Sequence, residues 1–170
     1  MFPRRRLDIY LNDHLAGSTL GVELSRRAAS ENRGSEYANF LERLCREIVE
    51  DRRTLEEVLR ALDVDRSPAK PAGAWLLEKV SRLKLNGQLR GYSPLSRLLE
   101  LEGLEMGITG KRSLWQVLGR AFADDERVAG FDFAALMARA DEQLAGLRDR
   151  RLAAVREALV DAPLRLRNRR

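Results

Sequence analysis

Cysteine and histidine are almost missing from this sequence: Cys45 and His14 are the only ones among 170 residues. A single cysteine excludes an internal disulfide and any multi-cysteine zinc or iron–sulfur site. A single histidine excludes every catalytic or metal constellation that needs two. With 5 prolines and 12 glycines the chain is unlike disordered or collagen-like sequence. β-Branched residues are sparse and no stretch alternates with period two over the length of a strand, which argues against sheet. No apolar run approaches the roughly 18 residues a membrane helix needs, so a membrane partner is not expected. Behind the basic start Arg4-Arg5-Arg6 stand Asp8, Asn12, Asp13 and His14 rather than an apolar segment. No signal peptide is therefore expected, and a cytoplasmic location is.

What remains is 44% hydrophobic and 34% charged, at a length that suits one domain able to fold without a metal or a disulfide. The net charge of +5 is unevenly placed. Arg4, Arg5 and Arg6 stand at one end, and Arg165, Arg167, Arg169 and Arg170 at the other; without these seven the body carries −2. The ends therefore read as basic tails, residues 1–6 and 163–170, around a domain at 7–162. Nucleic acid is a partner that the arginines of the second tail could touch, whereas the mildly acidic body does not suggest one.

Helical periodicity dominates the domain. Four long helices are expected at about 7–31, 35–62, 94–122 and 132–160, with a short one at about 74–85 between the second and third. Gly34 suits the left-handed end of the first helix, Ser35 a cap on the second, Ser93-Pro94 the start of the third, and Asp132 a cap on the fourth. The second helix has the clearest pattern: Tyr37, Leu41, Leu44, Ile48, Asp51, Leu55, Val58 and Leu62 follow alternating spacings of four and three. Such a seam faces the interior of a bundle. Short connections make helices one and two, and three and four, antiparallel neighbours. About thirty residues separate the second from the third, enough to travel the roughly 42 Å length of a 28-residue helix. The pattern is all-α: an up-down four-helix bundle with one long crossover that holds an extra short helix, as in ferritin-like folds.

The first helix reads Tyr10-Leu11-Asn12-Asp13-His14-Leu15-Ala16-Gly17, with Gly21-Val22-Glu23-Leu24 following. This string resembles the opening helix of small bacterial proteins classed with the ferritin-like four-helix bundles, and the likeness in pattern covers residues 7–159. The resemblance implies a fold and no particular activity. The di-iron ligand set of ferritins, which includes Glu-x-x-His on two helices, is absent, because Leu11 stands three residues before the only histidine.

Asp51 is the one charge in the apolar seam, and a buried carboxylate needs a partner. Folding the first two helices about a turn near Arg33 puts His14 opposite Asp51, so an internal His14–Asp51 pair that fixes register is expected. A ligand site made of the same two groups with Glu47 and Glu102 is the functional alternative, and exposure of both groups to solvent a third. Gly17 and Gly21 should leave room for a large side chain such as Trp115 or Tyr37, and close packing should explain Gly103, Gly107 and Gly110. Gly110-Lys111-Arg112-Ser113 fails as a phosphate loop, since Arg112 stands where Ser or Thr is required and no strand precedes it. Cys45 has no second histidine to serve as its base and reads as a half-buried thiol.

No cofactor and no metal are expected. Leu98, Leu101 and Leu104 exceed what one seam needs, so an exposed apolar patch and a homodimer or higher oligomer are expected. The function expected is that of a non-enzymatic structural or interaction protein. Two alternatives are a metal-binding or oxidative-stress protein with an atypical carboxylate-rich site and a nucleic-acid-associated protein that binds through its tails.

Overall fold

The computed structural model describes residues 2–66 and 92–160, with side chains from residue 4 onward. Four long helices make up most of it: α1 (Phe2–Glu31), α2 (Ala38–Ala61), α3 (Pro94–Ala121) and α4 (Phe133–Val155). A 3-10 turn, Glu126–Val128, precedes α4, and a π turn, Arg156–Val160, continues it. There is no strand among the described residues. The short helix expected at 74–85 and the arginines at 165, 167, 169 and 170 lie outside them.

Local chemistry sets the helix ends. The chain leaves α1 through Gly34 at φ +78°, a conformation that costs glycine little. Ser93 Oγ accepts from the Ser96 amide at 3.1 Å with Pro94 behind it, and Asp132 Oδ1 accepts from the Ala135 amide at 2.9 Å. Three boundaries differ from the expectation. The basic N-terminal segment is no tail but the opening of α1, where Pro3 is tolerated because first-turn amides need no helical partner. Ser35 caps the turn before α2 instead of α2 itself, accepting from the Tyr37 amide at 3.2 Å. The last helix widens into the π turn at Arg156.

Polar contacts fix the direction of each neighbour. Between α1 and α3, Leu24 packs on Gly103, Arg27 pairs with Glu100 at 2.9 Å, and Asn32 accepts from Arg97 at 2.6 Å. Numbers rise on one helix as they fall on the other, so the two are antiparallel. The same holds for α3 and α4, where Arg112 pairs with Asp141 and Arg151 with Glu105. It holds for α2 and α4 through Gln143–Glu47 and Glu157–Tyr37. At the far end of α1, Arg4 donates to the carbonyl of Asp63 and Asn12 to that of Asp65. Thus α2 ends beside the start of α1 whereas α3 begins beside its end, the placement that one long crossover requires.

The whole α2 seam is buried, from Tyr37 to Leu62, Asp51 included. The apolar interior forms two clusters. One gathers Leu24, Phe40, Leu44, Ile48, Leu104, Ile108 and Leu147; the other gathers Leu11, Leu15, Leu55, Val58, Trp115 and Leu118. Asp51 on α2 and Lys111 on α3 lie in sequence between the two sets. Leu98, Leu101 and Leu104 are 5%, 1% and 2% exposed, so they belong to the interior and form no surface patch. The reason is that both α1 and α4 cover α3. Gly103 meets the close-packing expectation, since a Cβ there would stand 2.9 Å from Leu24. Gly17, Gly21, Gly107 and Gly110 do not: no described side chain comes within 4 Å of a Cβ built on them.

Candidate functional site

Two polar networks interrupt the interior. The first is a layer at mid-height. Asp51 is 2% exposed, and its carboxylate accepts from Lys111 Nζ of α3 and Arg139 Nη2 of α4. Gln143 accepts from Lys111 and donates to Glu47 Oε2 at 2.9 Å. Arg139 also reaches Glu50 at 3.2 Å on the rim. Burial pulls the Lys111 ammonium below the ordinary lysine range, while Asp51 pulls it back up. The result is a carboxylate whose countercharges come from two other helices, as burial of a charge demands.

The expected His14–Asp51 pair is not formed. Asp51 is engaged by Lys111, Arg139 and Gln143, whereas His14 is half-buried on α1 with its ring 4.7 Å from that of Tyr10, edge to face. Burial lowers the pKa of His14, and the neighbouring Asp13 opposes that shift. Equal distance in sequence from the turn sets height along the two helices but not rotation about them, and the groups that meet the carboxylate are Lys111 and Arg139. Of the four residues of the alternative ligand set, Glu47 and Asp51 share the layer and the other two do not. Glu102 is nine residues from Lys111, two and a half turns, and so faces outward where Lys111 faces in. Among the described residues no group of three or more His, Cys, Asp or Glu is arranged to hold a metal ion. Cys45 is free and half-buried, as expected.

The second network lies at the end of the bundle where α3 begins. Glu100, 1% exposed, accepts from the Tyr92 hydroxyl at 2.8 Å and pairs with Arg27. Asn32, also 1% exposed, donates to Tyr92 Oη at 2.8 Å and accepts from Arg97. Arg97 stacks 4.5 Å above the Tyr37 ring and pairs with Glu157 of the π turn, which accepts from the Tyr37 hydroxyl at 2.6 Å. Burial raises the pKa of Glu100 against the pull of Tyr92 and Arg27. Burial, then Glu157, pushes Tyr37 up to about 12; burial and Glu100 likewise raise Tyr92.

Sequence reasoning missed most of these groups, although α3 carries a readable signal. Arg97, Leu101, Leu104, Ile108, Lys111, Trp115, Leu118 and Phe122 alternate by four and three, just as the α2 seam does. Its two charged members are the residues that enter the two networks. The described helices include none long and apolar enough to cross a membrane. Compared with known proteins, the chain matches no protein-family model, no curated protein and no solved structure.

Proposed function

We propose that this chain is a non-enzymatic helical bundle of ferritin-like topology, a structural or interaction protein whose centre carries no redox metal. Support for the topology comes from four antiparallel neighbour contacts together with a connection that begins and ends at opposite ends of the bundle. Support for the absence of a metal centre comes from one observation, the donor set around Asp51. Its oxygens are held by an ammonium and a guanidinium of the same chain. A metal ion there would have to displace both, and would leave Lys111 and Arg139 without their carboxylate. Among the described residues, the carboxylates left close by are Glu47 in the layer and Glu50 on the rim, and they and Asp51 form no group arranged to hold a metal ion.

The test is elemental analysis of protein purified without chelators. The proposal expects no stoichiometric iron, manganese or zinc. One or more equivalents per chain, lost on Asp51→Asn, would overturn it in favour of the metal-binding alternative.

A further inference from the structure

We draw no further inference here: the strongest candidate, the buried cluster of Glu100, Tyr92 and Arg27 at the end of the bundle where α3 begins, belongs to the network already described, and the residues just before Tyr92, whose charges bear on any pH switch at Glu100, lie outside the described ones.

Discussion

The two polar networks solve the same problem differently. At mid-height the Asp51 carboxylate is paired with Lys111 and Arg139 from two other helices, so the layer is built from ion pairs. At the end of the bundle, Glu100 is met by a neutral hydroxyl and one arginine, and burial raises its pKa. The first arrangement gains most from Coulomb attraction at low dielectric and loses most if one member is removed. The second is built mainly from hydrogen bonds, each worth less, and ties the first residues before α3 and the π turn after α4 to the ends of α1 and α2. Each network matters in a different place: the layer ties α2, α3 and α4 together at one height, and the end network anchors chain segments.

The largest expected effect breaks the layer. Asp51→Asn leaves Lys111 without a countercharge and should cost about 3 kcal/mol, because unpairing a buried ion is expensive. Glu50→Gln, at a position 65% exposed, should cost less than about 1 kcal/mol. Equal melting temperatures for the two variants would remove the distinction between layer and rim. Replacing the two most buried members, Asp51→Leu with Lys111→Met, while Arg139 keeps Glu50, should bring chemical-denaturation stability back to within about 1 kcal/mol of the parent, since apolar residues of like volume substitute for a buried pair. A double variant no better than Asp51→Asn would show that the layer does not act through charge.

Breaking the end network should cost less. Tyr92→Phe removes the donor to Glu100 and the acceptor of Asn32, worth about 1–2 kcal/mol by urea titration. An effect as large as that of Asp51→Asn would reverse the proposed ranking.

The networks and their neighbours also differ in pH dependence, and here the effects are smaller. Tyr37 and Tyr92 have folded pKa values above the unfolded value of about 10. Their contribution is complete below pH 10 and is lost as pH rises toward about 12 for Tyr37, because the unfolded chain releases those protons first. Melts across this range should therefore steepen downward, and Tyr37→Phe should flatten part of the slope. His14 has the opposite sense. Its folded pKa lies below the unfolded value, so its contribution is present above about pH 6.5 and is lost as pH falls through the folded pKa. His14→Gln should flatten the acid limb slightly. A steeper limb in that variant would mean that His14 gains a partner when protonated.

Much of the architecture was legible in advance because it rests on short-range rules. The seam from Tyr37 to Leu62 is buried at all eight positions, and its one charge is buried with it. Caps at Ser93 and Asp132 and the left-handed Gly34 follow from the chemistry of two or three adjacent residues. The π turn was not legible in any local signal, and Glu157 on it accepts from Tyr37, 120 residues away in sequence. Leu98 looked surplus to one seam because it lies about 60° from Leu101 and about 120° from Leu104 around the helix, and its burial reflects a helix covered on more than one side.

The candidate site divides in the same way. That Asp51 lies inside, and must be satisfied there, follows from a run of local spacings and the cost of burying charge. Which groups satisfy it does not, because Lys111 and Arg139 lie 60 and 88 residues away and reach it only after α3 and α4 take their rotations. Helical periodicity determines which face turns inward, since each residue is rotated by about 100° from the last. The pairing of inward faces belongs to tertiary structure, where long flexible cations compete for one carboxylate and the nearest, best-desolvated donors prevail over a histidine at comparable height.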